Sequence, residues 1–178
     1  MRVRKTIVAA LLSFLFLAGI ALWWFWPPLW YWVPGRQPLG QATAIDFPSD
    51  VPQAIKVESL KGDFRIITDV RALPAPVFKS LQEEGGSRSV MANPGGRFES
   101  TDAIFDSSVP RQRLILAGVS RDLCFVHYEQ GGFAYNRPIK VFRLRSATTM
   151  EPLWRGYCNE PSTTLEILRS RIASGECN

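Results

Sequence analysis

The sequence predicts an α+β protein: an N-terminal transmembrane helix followed by a small domain with an antiparallel sheet and one or two packed helices. Three observations predict it. Thr6 to Trp26 is an uncharged, apolar run of membrane-spanning length. Three segments between Arg113 and Arg145 are rich in β-branched, aromatic and aliphatic residues, with turn residues between them. A capped amphipathic segment lies near the C-terminal end.

The first element follows from length and charge. A bilayer core of about 30 Å is crossed by about 20 helical residues rising about 1.5 Å each. Thr6 to Trp26 has that length, and only Thr6, Ser13 and Gly19 in it are not apolar. Its Leu, Ile, Val and Phe residues favour insertion by roughly 3 to 7 kcal/mol, with no charge to oppose it. Trp23, Trp24, Trp26, Trp30, Tyr31 and Trp32 form an aromatic belt at headgroup level. Pro27 and Pro28 end the helix. Arg2, Arg4 and Lys5 precede the run without an acidic residue, which keeps the tip cytoplasmic and puts the bulk of the chain outside. The competing reading is a secretory signal cleaved near Gly19-Ile20-Ala21, but the apolar run is longer than a signal core. No Cys lies near its end, which excludes a lipoprotein anchor.

The expected organisation is a cytoplasmic basic tip over residues 1–5, a transmembrane helix and aromatic interface segment over 6–32, a stalk over 33–49, and an extracytoplasmic α+β domain over 50–178. Pro34, Gly35, Pro38, Gly40 and Pro48 give the stalk no helical or strand period. The net charge of +5 overstates the domain's basicity. Three of the 21 Lys+Arg lie in the tip, leaving 18 against 16 Asp+Glu, or about +2. That balance and the topology argue against nucleic acid as a partner.

Within the domain, Ala54–Leu60 and Phe64–Val70 are apolar-rich runs around Lys61-Gly62-Asp63, the pattern of a hairpin. Pro76 to Glu84 reads as a short helix, with Leu73, Val77 and Leu81 on one face. Ser87 to Glu99 reads as loop. Arg113–Val119, Leu123–Glu129 and Ile139–Arg145 form a meander, and Leu153–Cys158 adds an edge strand. Thr163-x-x-Glu166 is a capping-box pattern opening a last helix whose Leu165, Leu168 and Ile172 share a face. Helices are expected against one face of the sheet.

The chemistry offered is thin. His127 is the only histidine, and on a strand it shares a face with Phe125 and Glu129. His127 and Glu129 form a weak candidate acid/base pair; the plainer reading is a half-exposed strand histidine. Ser120, in Gly-Val-Ser-Arg-Asp, lacks the second Gly of a nucleophile elbow. Phosphate-loop, dinucleotide and C-x-x-C metal patterns are absent, so no cofactor or metal is expected. Gly131-Gly132, followed by Phe133 and Tyr135, is a loop able to present aromatic anchors; an ordinary hairpin turn with inward rings explains the same residues. Arg137, Arg143 and Arg145 share strand parity and offer a basic ridge for lipid headgroups or an acidic partner, against the plainer reading of a solvated face. Three Cys in an exported domain leave one over or paired between chains; if a disulfide forms it is Cys158–Cys177, with Cys124 buried in a strand, and the alternative is two or three free thiols.

These residues point to a single-pass protein of the inner (plasma) membrane that displays a periplasmic-type binding or interaction module. Its partners would be the membrane and another envelope protein, in the manner of an assembly factor or an immunity-type inhibitor. The alternatives are an envelope enzyme using His127 and Glu129, and a structural subunit of a membrane complex.

Overall fold

The computed structural model describes residues 45–84, 91–102, 106, 108–132 and 134–178. The segment expected to span the membrane lies outside them. Among the described residues, no helix is long and apolar enough to cross a membrane.

The described chain forms a five-stranded antiparallel sheet with three helices. In chain order these are α1 (Gln53–Glu58), β1 (Arg65–Ile67), a 3₁₀ turn (Val70–Ala72), α2 (Ala75–Glu84), β2 (Gln112–Val119), β3 (Leu123–Gln130), β4 (Pro138–Leu144), β5 (Met150–Tyr157) and α3 (Leu165–Ser174). The strands lie in the order of the chain, β1-β2-β3-β4-β5, each antiparallel to the next.

The helices cover both faces of the sheet rather than one. On one face, Val77 and Leu81 of α2 pack with Phe47, Leu114, Cys124, Val126, Tyr128 and Phe142. On the other, Leu165, Leu168 and Ile172 of α3 pack with Leu60, Leu116, Phe125, Ile139, Val141 and Trp154. The cause is visible in β3. Its side chains from Cys124 to Glu129 are all buried, so neither face can be left to water.

Ala54–Leu60 is not a strand, and the expected hairpin with Phe64–Val70 is absent. Residues 53–58 are helical, and Val51, Val57 and Leu60 drop onto the α3 face. A short apolar run fits either period, and tertiary packing decides. Arg169 of α3 fixes the corner that follows α1 by donating to the carbonyls of Leu60 and Gly62, both at 2.7 Å. Packing also begins earlier than Asp50. Phe47 is buried edge-on against Phe142, ring centres 5.4 Å apart, inside the stretch read as stalk.

The cap of α3 is Thr164, one residue later than the capping-box pattern suggested, with its hydroxyl accepting from the Ile167 amide at 3.3 Å. The helix ends in a Schellman turn. Gly175 takes φ 80°, its amide donates to Ile172, and the Glu176 amide donates to Arg171. That reversal brings the chain back beside β5. Tyr157 and Asn178 exchange backbone hydrogen bonds, and Cys158 and Cys177 are joined by a disulfide. Cys124 is free and buried. The bridge spans a sequence separation of 19, and such a loop is worth about 3 kcal/mol in the chain-entropy account. The double variant Cys158→Ser/Cys177→Ser is therefore expected to melt about 10 °C below wild type. Equal melting temperatures in thermal denaturation would show that the bridge adds no stability.

Candidate functional site

His127 sits on the α3 face of β3 and is fully buried, not half-exposed. Its Nδ1 faces the Pro138 carbonyl at 3.1 Å, and the Ser162 amide donates to its Nε2 at 3.2 Å. With Nε2 accepting, Nδ1 carries the proton, and the ring is a neutral cross-brace between β3, β4 and the approach to α3. Burial pushes its pKa down to about 4, and the charges of Arg137 and Arg171 act in the same direction. Both nitrogens are engaged by backbone and neither reaches solvent. As placed, the ring has no access to a substrate proton.

Glu129, two residues on, faces a different setting at the end of the sheet. A β-bulge at Ile115 slips the pairing of β2 with β3 by one residue and sets Arg113 directly across from Glu129. Arg113 Nε donates to the Glu129 carboxylate at 2.5 Å, and the Tyr135 hydroxyl donates to its other oxygen at 2.5 Å. Burial raises the pKa of this carboxyl, but those two hydrogen bonds and the charges of Arg113 and Arg137 outweigh it, so the group sits below the ordinary carboxylate value. It is therefore ionised at neutral pH and serves as the anchor of the cluster.

Two ring–guanidinium pairs stand on that anchor. The Arg113 guanidinium lies 4.3 Å from the Phe98 ring centre, and that of Arg137 lies 4.7 Å from the Tyr135 ring centre. The two rings are 6.4 Å apart. Phe98, Ser100, Arg113, Glu129 and Tyr135 line a cleft of about 400 Å³. Tyr135 forms its outer wall, with 40% of its surface exposed.

The glycine pair explains how distant segments meet here. The Gly131 amide donates to Arg111, and the Glu99 amide donates to Pro110, both at 2.8 Å. The segment carrying Phe98 to Ser100 lies against Gly131 so closely that no side chain fits between. Gly132 takes φ 129° with the Arg111 guanidinium beside it. Phe133 lies outside the described residues.

The three arginines of the expected ridge do not come together. Arg137 joins the cleft. Arg143 lies six residues along β4, about 20 Å away at strand spacing, in a groove with Ile55, Glu58, Ser59, Leu123 and Leu153. Arg145 is paired with Glu151 on the exposed β4–β5 connection. The sequence reading missed Phe98 and Arg113 altogether.

On the opposite face, Lys140 is 3% exposed, paired with Glu84 and flanked by the rings of Phe47 and Tyr128. Burial and then Arg155 push its pKa down to about 7, while the Glu84 carboxylate works the other way. Burial pushes the Cys124 thiol up to about 12, the opposite of an activated nucleophile. Among the described residues, no group of three or more His, Cys, Asp or Glu is placed to hold a metal ion. No protein family, curated protein or solved structure matches the chain.

Proposed function

We propose that the chain is a single-pass, membrane-anchored binding module that displays its α+β domain outside the inner membrane and holds another envelope protein there. The observation that carries this is the cleft of Phe98, Arg113, Glu129 and Tyr135 with Arg137 at its edge. Tyr, Phe and Arg are enriched where interfaces concentrate their binding energy. Here they are held in place by a largely buried carboxylate rather than left as free rotamers, which lowers the entropy lost on docking. An assembly factor or an immunity-type inhibitor needs such a surface and no catalytic group. His127 is engaged by backbone on both sides, which favours this reading over an envelope enzyme.

The outside location is supported by two features. Arg2, Arg4 and Lys5 precede an uncharged run of spanning length. The Cys158–Cys177 disulfide suits an oxidising compartment.

A membrane-impermeant crosslinker applied to intact, outer-permeabilised cells tests location and binding together. The full chain is expected to be crosslinked to a defined protein, and Tyr135→Ala to lose most of that product while staying in the membrane. A chain that reacts only after the inner membrane is broken, or a product that Tyr135→Ala leaves unchanged, would refute the proposal.

A further inference from the structure

The cleft is unbalanced in charge. The guanidinium groups of Arg113 and Arg137 stand on it, and that of Arg111 lies behind it against Gly132. The carboxylate among them is Glu129, already bonded to Arg113 and Tyr135. Glu99, between the cleft-lining Phe98 and Ser100, accepts from the Thr101 hydroxyl. Two of the cations are incompletely satisfied. Arg137 donates from Nη1 to the Asn159 carbonyl, but its buried Nε has no partner, and neither has the Nε of Arg111. Both of those atoms are sealed from solvent, so what an incoming anion meets is the positive field of the guanidinium groups rather than an open donor.

We propose that the cleft receives an acidic, extended segment of the partner protein, with a carboxylate set against Arg137 and Arg113 and an apolar neighbour laid on Phe98 and Tyr135. This rests on the binding reading above and names its ligand. Guanidinium geometry matches a planar carboxylate. The shape of the site selects the protein source. A free anion in an open cleft stays hydrated, and an exposed ion pair adds little. A peptide brings flanking side chains that cover the rings and exclude water around the charge. Membrane-binding patches gather four to eight basic residues on one surface. Here Arg143 and Arg145 lie near the other end of β4, away from the cleft, and the cations alternate with rings.

The test uses the full chain in zwitterionic detergent and a fluorescein-labelled octapeptide carrying two Glu around a Phe. Its analogue with Gln in place of Glu is the control. The Glu peptide is expected to bind about tenfold more tightly than the Gln peptide, and to weaken as salt is raised. R137Q is expected to lose about tenfold, and R137K, which keeps the charge but not the planar fork, to lose less than R137Q. Thermal melting of R137Q confirms that the fold is intact.

Equal affinity for the two peptides would overturn the inference, as would R137Q binding like wild type. Binding to phosphatidylserine vesicles through Arg137 without binding to the Glu peptide would also overturn it, in favour of a lipid ligand. If crosslinking to a partner depends on Tyr135 while the two peptides bind alike, the binding reading survives and the acidic ligand does not.

Discussion

Replacing Gly131 by Ala is expected to destabilise the domain by about 3 kcal/mol or more and to lower its melting temperature by about 10 °C. A Cβ at this position would overlap the Glu99 carbonyl oxygen and lie 2.8 Å from Ser100 Cα. All the atoms it meets are backbone. Neither side can yield, because the Gly131 amide is tied to Arg111 and the Glu99 amide to Pro110. Gly95 provides the contrast. Its φ is 74°, yet a Cβ there would meet nothing within 4 Å, so Gly95→Ala should cost only the left-handed strain of about 1–2 kcal/mol. Thermal denaturation of the two variants separates close approach from backbone conformation. If Gly131→Ala melted at or above Gly95→Ala, the close packing of the 98–100 segment would not be what Gly131 provides. The same substitution should displace Phe98 from Arg113, so any ligand of the cleft should weaken with it.

Much of the sheet was readable because β-rich runs and turn residues alternate cleanly from Arg113 onward. Strand parity in β3 was readable too. Cys124, Val126 and Tyr128 belong to one core and Phe125 to the other. What parity alone did not convey was that both sets are buried. The apolar residues of β3 occupy both faces, and that continuous pattern is the signal that a second helical layer must exist. The segment at Ala54–Leu60 failed for a different reason. It is too short to show a period, and its helical state is set by contacts with α3, whose sequence lies more than a hundred residues away.

The cleft was half legible. Gly131, Gly132, Tyr135 and Arg137 stand together in the sequence, and their turn chemistry marks them. Arg113 and Phe98 do not. Counting outward from the Ser120–Asp122 turn pairs Leu116 with His127 and would set Arg113 against Gln130. The bulge at Ile115 slips the register and delivers Arg113 to Glu129 instead. Nothing in the residue types around Ile115 announces a bulge. Phe98 arrives through the Glu99–Gly131 contact, a long-range approach whose only trace in the sequence is the glycine itself.

Acidification is expected to weaken the fold between pH 6.5 and 4 through His127. The ordinary pKa of 6.5 applies to the unfolded chain, and burial pulls the folded value down to about 4. The unfolded chain therefore binds the proton first. The neutral ring contributes its full share of stability above pH 6.5, and that share is lost progressively as the pH falls to the folded value. The difference corresponds to about 3 kcal/mol. Other groups act elsewhere on the scale. Glu129, held below the ordinary value of 4.5, loses its contribution mainly beneath this window. Protonating His127 has a structural cost that explains the size of the effect. The imidazolium would turn Nε2 into a donor facing the Ser162 amide, which is itself a donor, with Arg137 and Arg171 nearby. His127→Gln keeps one donor and one acceptor at the site without the titration. Urea unfolding at pH 7.5 should show the variant weaker than wild type by about 1–2 kcal/mol, from imperfect replacement of two buried hydrogen bonds. At pH 4 the gap should close or reverse, because only wild type has protonated a buried ring. Parallel stability curves for the two proteins across that range would mean that His127 is not the group that senses the acid.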